Sequence, residues 1–179
     1  RSARCQRGVA LRNIAERVAA LGLGSEETAR KVATFERLTQ DLAQLSGHSS
    51  EPLAFWVPGR IEVLGKHTDY GGGRSLLCAV ERGICVLAHP REGAPASPAV
   101  RHVRIRDAGS GESAQLDLSA DVAAAPGRWS NYPITVARRI ATNFSGSMRG
   151  ADIVFASDIP HAAGVSSSSA LVVAVFLAL

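Results

Sequence analysis

Ser157-Asp158-Ile159-Pro160-His161-Ala162-Ala163-Gly164-Val165-Ser166-Ser167-Ser168-Ser169-Ala170-Leu171 stands between two apolar runs, residues 151–156 before it and 171–179 after it. A short apolar run, a stretch of small residues and a second, longer apolar run read as strand, loop and helix. Ala162, Ala163 and Gly164 let a ligand approach the backbone closely, and four successive serines supply hydroxyls. The first N–H groups of a helix have no intrahelical partner, and the helix dipole favours negative charge there. Such a loop suits a phosphate. It is not the P-loop pattern, because no Gly-Lys-Ser/Thr follows. The same residue types also suit a turn or a helix cap. A linker is disfavoured, since the loop leads straight into an apolar run.

Working outward, the chain has 179 residues, 46% hydrophobic and 20% charged, with a formal charge of +4. That is enough chain for one ordinary domain with a sizeable core. The charges are dispersed, with no basic run carrying interleaved aromatics, so nucleic acid is a poor partner and an anionic small ligand a better one. Cys5, Cys78 and Cys85 have no metal-like or redox-like spacing. Their odd number fits free thiols in a reducing compartment, so a cytoplasmic location is expected. Residues 171–179 are too few to span a bilayer, and no signal peptide is visible, so no membrane partner is expected. Leu179 stops the chain inside an apolar run, leaving Val172, Val175, Phe176 and Leu179 to be covered. The expectation is that the natural protein continues.

Residues 1–50 read as a helical segment. Leu11, Ile14, Val18 and Leu21 fall three or four apart, as in an amphipathic helix, and Gly22 and Gly24 end it. Ser25 is expected to cap a second helix, with Glu26 and Glu27 in its first turn. Val32, Phe35, Leu38, Leu42 and Leu45 form its buried stripe. From residue 51 the texture becomes strand-like. Leu53 to Val57 is a strand, Pro58-Gly59 a turn, and Ile61 to Leu64 a resumed strand. Arg74 to Val80 and Arg82 to Ala88 are separate strands. Val100 to Arg106 pairs antiparallel with Ala114 to Leu118, and Asn131 to Thr142 is a helix. The whole is an α+β chain with mostly antiparallel strands.

The densest polar cluster is Arg60-Ile61-Glu62-Val63-Leu64-Gly65-Lys66-His67-Thr68-Asp69-Tyr70-Gly71-Gly72-Gly73. Arg60 can grip phosphate bidentately. Asp69 can accept two sugar hydroxyls, and His67 can donate or accept. These residue types also make an ordinary solvated turn. Resemblance separates the readings. Pro58-Gly59-Arg60, Leu64 through Tyr70 and Gly72-Gly73 resemble the first motif of galactokinases, in the superfamily of the homoserine, mevalonate and phosphomevalonate kinases (the GHMP kinases). Residues 160–171 resemble that superfamily's second, nucleotide-binding motif. Trp129-Ser130-Asn131-Tyr132 resembles a segment found between the two.

The resemblance implies a GHMP kinase N-terminal domain over residues 51–179: a mostly antiparallel mixed sheet with helices on one face. It implies phosphoryl transfer from ATP to the C1 hydroxyl of galactose or a related sugar. Arg60 would stabilise charge on the transferring phosphoryl group. Lys66, His67, Thr68 and Asp69 would line the sugar pocket. Ala162, Ala163, Gly164, Val165, Ser166, Ser167 and Ser168 would wrap the ATP phosphates, with Ser168 a ligand of Mg²⁺. The sequence departs from the family at Glu62, Ala162 and Val165, and at Lys66, where galactokinases carry a glutamate. Lysine has donors and no acceptor, so it suits a carboxylate on the sugar's C6, or it turns to solvent or pairs with Glu62 and leaves a neutral sugar bound. The family's catalytic aspartate and third motif lie beyond the second motif, so these 179 residues alone are expected to be inactive. The rival reading is a non-catalytic relative that senses sugar and nucleotide.

Overall fold

Five strands form one mixed sheet in the computed structural model of the protein, which describes residues 11–47, 51–93, 98–124, 126–144, 149–160 and 164–179. The strands are β1 (Leu53–Leu64), β2 (Leu76–Pro90), β3 (His102–Asp107), β4 (Ser113–Asp117) and β5 (Ala151–Ser157). Their spatial order is β1-β2-β5-β3-β4. β1 with β2 and β3 with β4 are antiparallel hairpins. β5 lies between them, antiparallel to β2 and parallel to β3. The expected mixed, mostly antiparallel α+β sheet is what forms.

Side chains alternate across a strand, and here both sides are apolar. Ile84, Val86 and Ala88 of β2, with Ile153 and Phe155 of β5, face α3 (Asn131–Asn143) and α4 (Ser167–Ala178). Cys85 and Leu87, with Val154 and Ala156, face Phe35, Leu38 and Leu42 of α2 (Ser25–Ser46) and Ile14 and Val18 of α1 (Ile14–Ala19). Helices on one face describe α3 and α4 correctly. The N-terminal pair takes the opposite face, so β5 and the second half of β2, residues 83–89, are buried on both sides, which explains their near-continuous apolar runs. Leu38 is fully buried; truncating such a leucine to alanine costs about 2–5 kcal/mol.

Four local expectations are corrected. Ser25 is the first helical residue, and Gly24 holds the cap position, its N–H donating to Glu81 Oε1 at 3.1 Å. Pro58-Gly59 is not a turn: β1 runs through it, with a register shift between Pro58 and Arg60. β1 is an edge strand, where a proline's missing N–H is tolerated. Arg74 to Ala88 is not two strands, because β2 is continuous from Leu76 to Pro90. Along α4, Val175 is buried and Val172 and Leu179 pack on the core, whereas Phe176, Val173 and Leu177 are exposed.

β5 is fixed to its neighbours by charge as well. Asp152, 3% exposed, accepts two bonds of 2.7 Å from Arg104 on β3 and a third of 2.7 Å from Arg91. Such bidentate pairs set geometry as well as energy.

Candidate active site

The register shift between β1 and β2, where Val80, Glu81 and Arg82 stand opposite Gly59 alone, has a consequence for the loop after β5. An extra residue at a bulge leaves backbone groups unpaired within the ladder. Arg60 N–H donates instead to Val165 O, at 3.1 Å. The Arg60 side chain reaches the same loop, its Nε donating to Ser166 Oγ at 3.3 Å. Gly59 makes the approach possible. A Cβ there would lie 3.1 Å from Val165 O and 3.2 Å from Val80 Cγ2, inside ordinary van der Waals contact. The first motif and the phosphate-loop motif, a hundred residues apart in sequence, are therefore in direct contact.

The loop turns into α4 through Ser166, whose φ of 59° is left-handed, an uncommon conformation for a residue other than glycine. Among the described residues no side chain caps α4. Its first amides, from Ser167 onward, are left for an outside acceptor. Ser168 is half-buried in that first turn. Gly164, with φ of 70°, precedes it. Ala162 and Ala163 lie outside the described residues, as does His161.

The second polar loop joins β1 to β2, four residues beyond Arg60, or about 13 Å along a strand. Thr68 closes it. Its hydroxyl donates to Gly65 O (2.8 Å) and lies 3.1 Å from Arg74 O, while Gly73 N–H donates to Thr68 O at 2.8 Å. A Cβ on Gly73 would lie 2.8 Å from Thr68 Cβ. The Thr68 hydroxyl is thus committed to the loop itself. His67, with φ of 63°, stacks on exposed Tyr70 at 5.8 Å between ring centroids. Asp69 opens a single 3₁₀ turn, Asp69–Gly71, and is exposed. Lys66 is exposed too, and no ion pair joins it to Glu62 among the described residues. Trp129, ahead of α3, packs edge-on against Phe155 at 5.7 Å.

Sequence reasoning missed the buried charges behind the phosphate loop. Lys31 and Glu27 sit on the core face of α2, 2% and 6% exposed. Lys31 Nζ binds Asp158 Oδ2 and lies 3.7 Å from Glu27 Oε2. Arg30 donates to Glu27, holding its carboxyl below the ordinary value against the opposing effect of burial. Burial pushes the Cys85 thiol up to about 12. A signal was there to be read. Glu27, Lys31, Phe35, Leu38 and Leu42 share one helical stripe.

Comparison with known proteins agrees with the geometry. A model described as the galactokinase galactose-binding signature matches residues 43–90, which contain the β1–β2 loop. A model described as the GHMP kinases N-terminal domain matches residues 131–179, which contain the phosphate loop. A galactokinase of Actinobacillus pleuropneumoniae is 30% identical over 137 residues, 76% of this chain and 34% of its own length. One of Chloroflexus aggregans is 36% identical over 119 residues, 66% of this chain and 28% of its own. The structure of Lactococcus lactis galactokinase complexed with galactose superposes with a TM-score of 0.62 at 28% identity, over 79% of this chain and 35% of that one. Methanococcus jannaschii mevalonate kinase shares the fold with a TM-score of 0.57 at 14% identity, over 73% of this chain and 40% of that one. The chain thus spans about a third of the length of the galactokinases it matches. With both family models in order along one fold, the chain belongs to the GHMP kinases on their galactokinase branch, and corresponds to the N-terminal part of those enzymes.

Proposed function

We propose that the chain is the N-terminal part of an ATP-dependent kinase that phosphorylates the C1 hydroxyl of galactose or a related sugar. The observation that carries the reading is the double anchoring of Arg60 on the loop that opens α4, through its backbone N–H and its guanidinium. A cation fixed beside an uncapped helix N-terminus favours phosphate twice over, by charge and by aligned amides. The reaction joins the sugar C1 oxygen to the γ-phosphorus while the bond to the bridging oxygen of ADP breaks and the hydroxyl proton departs. Negative charge spreads over the γ-phosphoryl oxygens, and a preorganised arginine stabilises it without reorganising. Residues 162–168 wrap the nucleotide phosphates in this reading. His67 and Asp69 meet the sugar hydroxyls, Thr68 shapes the loop that presents them, and Lys66 faces the C6 end.

Mg²⁺ fits the residues present. It keeps several waters, takes few protein ligands and is held largely by substrate phosphates. The Ser168 hydroxyl, on the uncapped first turn of α4, is one oxygen of the required kind. Among the described residues no three His, Cys, Asp or Glu converge on a metal position. When bound, the ion would neutralise phosphate charge. Ser168 would orient it, and the chain's own amides and Arg60 would hold the nucleotide.

The test uses the complete gene product with ATP and galactose, following sugar 1-phosphate by phosphorus NMR. Product is expected, and Arg60→Met should lower its rate by about 10²-fold or more, the scale of one lost charge-stabilising group. Ser168→Ala should weaken MgATP use more than sugar binding. If both ligands bind and no transfer follows with any sugar, the catalytic reading falls. The non-catalytic sensor, which the lysine at position 66 favours, then takes its place.

A further inference from the structure

The Lys31–Asp158 pair has no part in the chemistry above, yet it stands at a junction. Asp158 is the residue after β5, where the chain leaves the sheet for the phosphate loop. Its Oδ2 binds Lys31 Nζ of α2. Its Oδ1 accepts the Gly83 N–H at 2.6 Å, and its own N–H donates to Gly83 O at 3.1 Å. Gly83 is the β2 partner of Pro58, the residue just before the bulge that delivers Arg60. A side chain at position 83 is excluded, because a Cβ would lie 2.6 Å from Trp56 Nε1. One carboxylate therefore links α2, the bulged strand β2 next to its extra residues, and the root of the phosphate loop.

Packing alone does not fix that junction. A cavity of about 120 Å³ adjoins it, lined by Lys31, Thr34, Arg37, Gly83, Ser157 and Asp158 among others. A side chain freed from the pair has room to swing. The Lys31 side chain is 2% exposed, and its ammonium lies 5.8 Å from the Trp56 ring centroid. An ion buried so deeply is tolerated only when paired with good geometry.

We propose that Lys31 and Asp158 are positioning residues for nucleotide binding: anchored in α2, they set the phosphate loop in register with Arg60. The proposal rests on the nucleotide reading above and assigns the N-terminal helix a part in it. Neither residue touches the nucleotide. They act through Gly83, the bulge and the loop.

The experiment uses the complete gene product and two readouts. The variants are Lys31→Met, the conservative Lys31→Arg, and the double variant Lys31→Met with Asp158→Asn. The double variant removes both charges, so neither is left buried and unpaired, which guards against failure to fold. Amide hydrogen exchange without ligand should accelerate in segments 59–60 and 164–169 by about tenfold in Lys31→Met, while the α3 and β3 amides stay protected. MgATP affinity, by calorimetry, should fall by about tenfold, equivalent to ~1.4 kcal/mol. Galactose affinity should move less than about twofold, and Lys31→Arg should recover most of the loss. The double variant should regain thermal stability without regaining MgATP affinity.

Unchanged exchange in both segments of a folded variant overturns the proposal. So does a uniform loss in which both ligands weaken alike, since that is what a merely structural pair gives. Accelerated exchange in a protein whose parent never binds MgATP would sustain the positioning of the loop and overturn the nucleotide reading alone.

Discussion

Gly59→Ala tests the contact on which the site depends. The added methyl would lie 3.1 Å from Val165 O, 3.2 Å from Val80 Cγ2 and 3.4 Å from Arg82 O. Ordinary carbon contacts lie near 3.5–4.0 Å, so something gives by about 0.3–0.6 Å. Val80 and Arg82 fall in the stretch of β2 that has no register partner, but paired residues of the β1–β2 ladder, Ala79 and Gly83, flank them. Val165 belongs to a loop, and it is the neighbour that yields. The 3.1 Å bond from Arg60 N–H to Val165 O then stretches toward about 3.5 Å, beyond a good N–H···O distance. Losing one net hydrogen bond costs about 0.5–1.5 kcal/mol, and mild overpacking brings the total to about 1–2 kcal/mol. For a chain of this length that is a fall in Tm of about 2–8 °C. Calorimetric unfolding and MgATP titration of the same variant make the assay. The expected signature is a modest loss of stability with a larger loss of nucleotide affinity, and sugar affinity nearly unchanged. A variant equal to the parent in both Tm and MgATP affinity would refute the packing of β1 against the loop.

Thr68→Val keeps the shape of the latch and removes its hydroxyl. Losing its bonds to Gly65 O and Arg74 O should cost about 0.5–1.5 kcal/mol, discounted for exposure, and weaken galactose more than MgATP in parallel titrations. Glu27 should give an acid limb. Its carboxyl is lowered in the folded state, chiefly by the Arg30 hydrogen bond, so its stabilisation is present above the ordinary carboxylate value of 4.5 and is lost as pH falls through the lower folded value. Urea midpoints between pH 5 and 3 should fall more steeply in the parent than in Glu27→Gln. Cys85 has the opposite sign: burial raises its thiol from 9.0 to about 12. Its contribution is complete below pH 9 and fades as pH climbs toward 12. At pH 8 a maleimide should therefore modify exposed Cys78 and spare Cys85, read by peptide mapping.

Much of this is legible in the sequence. Small residues between two apolar runs gave the strand, loop and α4, and the arrangement β3–β4–α3 followed from alternation and turn residues. What was not legible came from tertiary context. Pro58-Gly59 carries a local turn signal, but it lies on an edge strand paired to a long partner, so the ladder absorbed it as a bulge. Ser25 has the chemistry of a cap, yet Gly24 took the position. The pairing of Lys31 was not legible because its partner, Asp158, is 127 residues away. Thr68 was placed in the pocket by resemblance, and only the loop's closed geometry reveals where its hydroxyl goes.

The strand order has a consequence for how the chain comes together during synthesis. β5 is the last of the five described strands to be made, yet it is laid between two hairpins already complete. Until residue 157 emerges, the inner edges of β2 and β3 stand open, each a template for a foreign strand. The β1–β2 and β3–β4 hairpins are local and close early, whereas joining them awaits a pairing across dozens of residues, a slow step in proportion to its separation. The most buried strand of the sheet is thus the one the nascent chain lacks longest. Its apolar neighbours are exposed to misassembly for that whole interval.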